Sequence, residues 1–203
     1  MREAVILLTK APSAGVKTRI AKVKGSRFAR ELYASFLTQI SEKLGGRECF
    51  VYVWPTEGIA EVREFVDAKE YRVQAGGDLG ERMMNAVNHV LKQGYDKAVL
   101  IGGDSPTMPE SHIDDAFKLL EAKDVVLGPA DDGGFCLIAS RIRLTRGVFE
   151  GIAWGTEGVL EKTKDNLDSQ GISYGLTSSW HDIDTIEDLR RSGYESNEVE
   201  DVS

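Results

Sequence analysis

Lys97-Ala98-Val99-Leu100-Ile101-Gly102-Gly103-Asp104-Ser105-Pro106 decides the fold. The apolar run from Ala98 to Ile101 does not alternate, which is the pattern of a strand covered on both faces. Two glycines end the run, a single carboxylate follows, and Pro106 stops the extended chain. The segment predicts a buried strand that carries Asp104 to the carboxyl edge of an open α/β sheet, where ligands bind. Asp, Ser and Pro are also ordinary turn and cap residues, so a plain strand-to-helix turn is the competing reading.

Ala4 to Leu8 is a second continuous apolar run and the natural first strand. Between Ala4 and Arg30 there is no acid, while Lys10, Lys17, Arg19, Lys22, Lys24, Arg27 and Arg30 supply seven cations. Pro12, Ser13, Ala14 and Gly15 interrupt regular structure, so Lys10 to Arg19 is expected to be a loop that can surround a phosphate chain. It is not a Walker loop, because Val16 rather than Gly precedes Lys17. The alternative is a solvated basic loop without a ligand.

Strands and helices alternate along the rest of the chain, as in a parallel-rich sheet with crossover connections. Phe28, Leu32, Phe36, Ile40 and Leu44 mark an amphipathic helix closed by Gly45-Gly46. Strands are expected at 49–54 and 71–74, with a short helix at 59–68 between them. Three glycines surround Asp78 in 74–83 and run into a helix, where Gly77 and Arg82 suit a phosphate and Asp78 is either a helix cap or a partner for a hydroxyl or base. A capped helix start is expected at Thr107 with His112 on its surface. Strands ending near Pro129 and starting at Phe135 meet at Asp131-Asp132-Gly133-Gly134, a hairpin turn or a substrate-facing loop. Trp154 and Thr156 precede a helix that ends near residue 169, and Trp154 is a core or lid aromatic. A short strand at 173–176 leads to Asp182 and Asp184, and Thr185 with Asp188 forms a capping box.

The chain has 203 residues and 41% hydrophobic content, enough for one sizeable core rather than two. Residues 1–194 are assigned to one domain and 195–203 to an acidic, disordered tail. A net charge of -8 argues against nucleic acid or an anionic membrane as partner, leaving small molecules, and oligomeric state is not specified. Cys49 and Cys136, far apart in apolar runs, fit buried free thiols in a reducing cytoplasm. No apolar run approaches membrane-spanning length.

Acidic turns at strand ends and one basic loop are complementary. Mg2+ or Mn2+ binds one or two carboxylates together with substrate phosphates, and lysine and arginine neutralise the charge on a leaving phosphate. No activated-serine elbow and no Cys/His pair is evident, so direct displacement on a nucleotide-activated substrate is expected.

Lys10 to Ile20, Gly77 to Met83, Gly102 to Pro106, Gly128 to Gly134, Ile152 to Thr156 and Asp182 to Leu189 resemble the successive motifs of the radical-SAM/selenodomain-associated transferases. The resemblance spans nearly the whole chain and implies a nucleotide-diphospho-sugar transferase fold, a three-layer α/β/α sandwich around a mostly parallel mixed sheet. More distantly, Lys17-Thr18-Arg19, Asp104 and Asp184 are similar to features of phospholactate guanylyltransferases and molybdenum-cofactor nucleotidyltransferases. Carried over, Asp104 and Asp184 hold the divalent metal, and Lys10, Lys17 and Arg19 hold phosphates, with Gly15, Gly77, Asp78 and Arg82 as further nucleotide-binding candidates. Lys17, Arg19 and Asp104 are the catalytic candidates; Asp131, Asp132, Gly133, Gly134, Trp154 and Thr156 are the candidates for contact with substrate. Cys136 and Gly155 depart from the family pattern, which has a bulkier aromatic and a serine there, and the difference falls on the acceptor pocket. The family name favours glycosyl transfer from a nucleotide sugar to a small acceptor. The basic loop suits nucleotidyl transfer from a triphosphate, and a non-catalytic nucleotide-binding protein is the third reading.

Overall fold

The structure is a computed structural model and describes residues 1–194. The expected tail, 195–203, lies outside the described residues. Among the described residues seven strands form one sheet: β1 (Glu3–Lys10), β2 (Cys49–Trp54), β3 (Glu70–Val73), β4 (Lys97–Gly102), β5 (Val125–Pro129), β6 (Phe135–Ser140) and β7 (Tyr174–Leu176). Their order is β3-β2-β1-β4-β6-β5-β7. β6 alone runs against its neighbours, pairing antiparallel with both β4 and β5, so the sheet is mixed and mostly parallel as expected.

Among the described residues seven α-helices cover the sheet: α1 (Thr18–Lys24), α2 (Ser26–Lys43), α3 (Ile59–Val62), α4 (Leu79–Lys92), α5 (Glu110–Leu119), α6 (Val159–Ser169) and α7 (Ile186–Arg191). Strand alternation assigns them to two faces. Val5, Leu7, Val99 and Ile101 point into a core built with α1, α2, α5 and α7. Ala4, Ile6, Leu8, Ala98 and Leu100 point into a second core, built with α4, α6 and the 146–149 turn. Both faces of β1 and β4 are therefore buried, which is why these strands read as unbroken apolar runs rather than as alternating ones. Each buried Val, Leu or Ile contributes about 1.5–3 kcal/mol, so the two central strands form the rigid base from which the loops project.

β1 has β2 on one side and β4 on the other, and successive units of the chain wind away from that junction in opposite directions. A crevice opens at the carboxyl ends of the strands at such a switch point. Lys10 and Gly102 stand at those ends, so the 11–17 loop and Gly103-Asp104 both meet there.

Several local expectations are corrected. The basic loop closes early, because α1 begins at Thr18; only Ile20 of α1 is buried and Val23 is exposed, so no amphipathic pattern announced the helix. Helical hydrogen bonding near 59–68 is regular only over Ile59–Val62, and beyond it Glu64 and Phe65 donate to carbonyls three residues back. α5 starts at Glu110 behind an extended Pro109, not at a Thr107 cap. His112 is buried rather than on the surface, packed edge-on against Trp180 at 5.1 Å from a segment 68 residues later, a contact no local pattern encodes.

Candidate active site

Asp104 leaves β4 beside Gly103, and the close fit there accounts for the glycine. A Cβ at Gly103 would lie 2.5 Å from the Tyr33 hydroxyl and 2.8 Å from Thr9 Oγ1. Those two hydroxyls are themselves hydrogen-bonded at 2.9 Å, pinning α2 to the end of β1. The second acidic segment is drawn to the same place by the backbone, because the Ile183 N–H donates to the Asp104 carbonyl at 3.0 Å. Ser105 Oγ hydrogen-bonds Asp182, and the Thr185–Asp188 capping box fixes the start of α7 just beyond Asp184.

Lys17 closes the arrangement. Its Nζ lies 2.5 Å from Asp104 Oδ1 and 2.8 Å from Asp184 Oδ1, with its side chain only 2% exposed while the two carboxylates are about half exposed. Burial alone would lower its pKa; the charges of Asp104 and Asp184 outweigh that and raise it, so the ammonium stays charged. Lys17 also has φ 48°, the left-handed region, and among the described residues no other residue except glycine has a positive φ. Such a backbone costs on the order of 1–3 kcal/mol. Ion pairs to half-exposed carboxylates supply little of that. Val16 and Ile20, buried on either side, contribute about 1.5–3 kcal/mol each and are the better account of what holds the backbone there.

The crevice of about 390 Å³ in front of this cluster is lined by Lys10, Gly15, Lys17, Arg19 and Arg82, together with Asp104 and Asp184. Leaving Gly77 and Asp78 outside the crevice lining, the structure thus collects most of the expected phosphate and metal residues from four separate regions of the chain. Tyr33 and Gln74 join them without having been expected. Gln74 donates its side-chain amide to the carbonyls of Thr9 (2.7 Å) and Tyr52 (3.2 Å), an orientation only the sheet pairing could reveal. Tyr33 belongs to the helix read as core, and burial, then the Asp104 charge, push its hydroxyl pKa well up.

Asp182 was visible as an acid but not as a member of the cluster. Burial first, then the charge of Asp104, raise its pKa to about 6. Asp78 takes the plain role considered for it, capping α4 by accepting from the Glu81 N–H at 2.8 Å, while the Gly77 N–H donates to Glu81 Oε2. The remaining candidates form a second group outside the crevice lining. Asp132 Oδ1 accepts from the Gly134 N–H at 2.9 Å in the β5–β6 hairpin turn, and the Gly133 carbonyl accepts from the Leu160 N–H at the start of α6. Thr156 Oγ1 donates to the Ala153 carbonyl. Trp154 packs on Phe149 and Phe135, with its ring so near Gly80 that a Cβ there would lie 2.9 Å from Cζ2. It therefore supports the amino end of α4, from which Arg82 reaches the crevice.

Both cysteines are buried and unpaired. Burial pushes the Cys49 and Cys136 thiols up to about 12, with Asp182, Asp132 and Asp131 adding to the shift at Cys136. Neither thiol is expected to react with a thiol-specific reagent at pH 8 until denaturant is added. Rapid native labelling of one equivalent would show that a thiol is accessible and ionised.

Two half-exposed carboxylates directed at one cation, beside basic side chains, form a donor set that suits Mg2+ or Mn2+, which takes few protein ligands and completes its shell with phosphate oxygens and water. Among the described residues no group of three or more His, Cys, Asp or Glu side chains forms a self-sufficient metal cage.

The family model described as "Uncharacterized protein conserved in bacteria (DUF2064)" matches residues 36–156. The chain belongs to this family. A protein of Desulfovibrio desulfuricans G20 assigned to the nucleotide-diphospho-sugar transferases has a solved structure that is similar at TM-score 0.85, with 31% identity over 93% of this chain and 85% of that one. The 2-phospho-L-lactate guanylyltransferase of Methanocaldococcus sp. (strain FS406-22) is 25% identical over 190 residues, covering 91% of this chain and 78% of its own. The 4-diphosphocytidyl-2C-methyl-D-erythritol synthase of Anaerococcus prevotii DSM 20548 shares the fold at TM-score 0.61 and 13% identity, over 94% and 96% of the two chains. The α/β/α sandwich and the resemblance to nucleotide-diphospho-sugar transferases are borne out. No helix among the described residues is long and apolar enough to cross a membrane.

Proposed function

We propose that this DUF2064 protein is a nucleotidyltransferase that moves a nucleoside monophosphate from a nucleoside triphosphate to a phosphorylated small molecule and releases pyrophosphate. The observation that carries the reading is the crevice that Lys10, Arg19 and Arg82 line together with the Asp104–Asp184 pair, which Lys17 bridges. Transferase relatives across nearly the whole chain support it, and the guanylyltransferase likeness favours nucleotidyl over glycosyl transfer. Four cations and two acids suit the longer and more highly charged triphosphate chain better than the diphosphate of a nucleotide sugar.

In the reaction, a phosphate oxygen of the acceptor attacks the α-phosphorus, a P–O bond forms, and the bond from that phosphorus to the bridging oxygen of the β-phosphate breaks. Both electrons of the broken bond leave with pyrophosphate, so no protein nucleophile is needed. Lys10 and Arg19, exposed at the end of β1 and in the first turn of α1, neutralise the β- and γ-phosphates. Arg82 approaches from α4, held by its contact with the Gly76 carbonyl. Asp104 and Asp184 would hold Mg2+ or Mn2+, which when bound withdraws charge from the phosphates and aligns them. Asp131, Asp132 and Thr156 are assigned to the acceptor side, while Trp154 and Gly133 hold the surrounding loops by packing.

A thermal-shift panel tests this. GTP, the other triphosphates and a set of nucleotide sugars are each added with and without Mn2+, since a ligand that binds only the folded chain raises its melting temperature. A metal-dependent shift with one triphosphate, GTP being the first expected, followed by pyrophosphate release on adding phosphorylated hydroxy acids, is the predicted result. Selective stabilisation by a nucleotide sugar alone would instead favour glycosyl transfer, the reading kept open by the 31%-identical relative. Binding with no turnover under any acceptor would favour the non-catalytic reading.

A further inference from the structure

Lys17 stands where the proposed metal would have to stand. Its Nζ lies between the two carboxylates, 2.5 Å from Asp104 Oδ1 and 2.8 Å from Asp184 Oδ1, and among the described residues no other cationic side chain pairs with either. An ammonium in that gap and a divalent ion held there by both carboxylates at about 2.1 Å cannot be present together, because both the space and the charge conflict. The backbone of Lys17 is held by buried Val16 and Ile20, whereas its side chain is a flexible four-carbon stem with freely rotating donors. The stem has somewhere to go, since Lys17 lines the same crevice as Lys10, Arg19 and Arg82.

We propose that the Asp104–Asp184 pair is a single cation subsite that takes either the Lys17 ammonium or a divalent ion, and that entry of the metal sends Lys17 into the crevice to meet the phosphates. This inference rests on the reading of the crevice as a metal and nucleotide site, and makes Lys17 the residue that couples the two ligands. Metal without nucleotide must displace an ammonium that then lacks an anion. Nucleotide without metal must draw Lys17 from two carboxylates that are then left facing each other. Each ligand removes the cost met by the other, so they bind co-operatively, and the coupling is reciprocal.

The test uses metal alone. Mn2+ is titrated into the full chain and into Lys17→Met without nucleotide, and free Mn2+ is read by electron paramagnetic resonance. Lys17→Met is expected to bind Mn2+ roughly tenfold more tightly than the wild type, within the usual range of coupling between sites. Equal or weaker binding by a folded variant, or no Mn2+ binding by either protein, overturns the proposal. A second measurement does not depend on that variant folding: in 15N-labelled wild type, the shielded Lys17 ammonium should give a slowly exchanging signal, absent from Lys17→Arg, that is lost on saturation with Mg2+. An ammonium signal that persists unchanged at saturating Mg2+ also overturns it. Failure of the functional reading looks different, because a chain that exchanges Lys17 for metal yet releases no pyrophosphate with any triphosphate refutes the transfer reaction and leaves the exchange standing.

Discussion

Asp104→Asn is expected to abolish the metal-dependent stabilisation by nucleotide while leaving the fold intact. In the wild type, a triphosphate present with Mn2+ at about 100 times its dissociation constant adds roughly 2.7 kcal/mol. For a domain of this size that corresponds to about 5–11 °C in melting temperature. Asparagine keeps the shape of Asp104 but removes the charge that one of the two metal ligands supplies, and Asp184 alone is a poor hold for a divalent ion. The shift should therefore disappear, and turnover should fall roughly 10³-fold, on the scale of losing one main electrostatic contact to a transition state. The fold survives because the Asp104 side chain is 48% exposed, the Lys17 ammonium keeps Asp184, and the backbone clamp from Ile183 N–H to the Asp104 carbonyl is untouched. Scanning wild type and variant with and without Mn2+ and GTP settles it. A variant that still shifts in a metal-dependent way removes Asp104 from the metal site.

The central strands were legible because burial on both faces writes itself directly into composition. β1 and β4 could be placed to within two residues at each end, although Lys10, expected in the loop, closes β1, and the Thr185–Asp188 capping box could be read outright, since a cap is a local contract between residues three apart. The basic loop was legible for a different reason. A stretch with seven cations and no acid in a chain of net charge -8 is improbable unless something anionic offsets it. What remained hidden depends on contacts between residues far apart in sequence. Lys17 and Asp184 are 167 positions apart, and no spacing rule foretells that one lysine bridges an acid after β4 and an acid before α7. The sequence could offer Lys17 only as a phosphate ligand, and its present position, turned away from that task, is the observation from which the exchange was inferred.

Asp78 and Trp154 show the limit from the other side. Both stand in unusual glycine-rich stretches and invited a ligand, yet one caps α4 and the other packs beneath it. Their contribution to the site is to orient the helix that carries Arg82. Glycine is similarly ambiguous in sequence, because permitting the close approach of a ligand and permitting the close approach of the chain's own backbone leave the same letter. Gly133 resolves toward the second.

Gly133→Ala is expected to lower stability by about 3 kcal/mol or more, and Gly134→Ala by less than about 1 kcal/mol. Gly133 has φ 83°, where an L side chain costs on the order of 1–3 kcal/mol before any contact is considered. A Cβ there would also lie 2.2 Å from the Glu157 carbonyl oxygen and 2.6 Å from the Glu157 Cα. These are backbone atoms, so relief requires moving the 155–158 loop off the hairpin turn, which would break the hydrogen bond from the Leu160 N–H to the Gly133 carbonyl at 2.9 Å. At Gly134 the nearest atom is Asp132 Oδ1 at 3.1 Å, the end of an exposed side chain that can rotate away. Thermal unfolding followed by circular dichroism should separate the two variants, with Gly133→Ala melting roughly 6–12 °C below wild type and Gly134→Ala within a few degrees of it. The contrast also divides structure from binding at this turn. If both variants melt like the wild type, the packing of the hairpin on the 155–158 loop is not what Gly133 serves, and its conformational freedom would have to be explained by the acceptor alone.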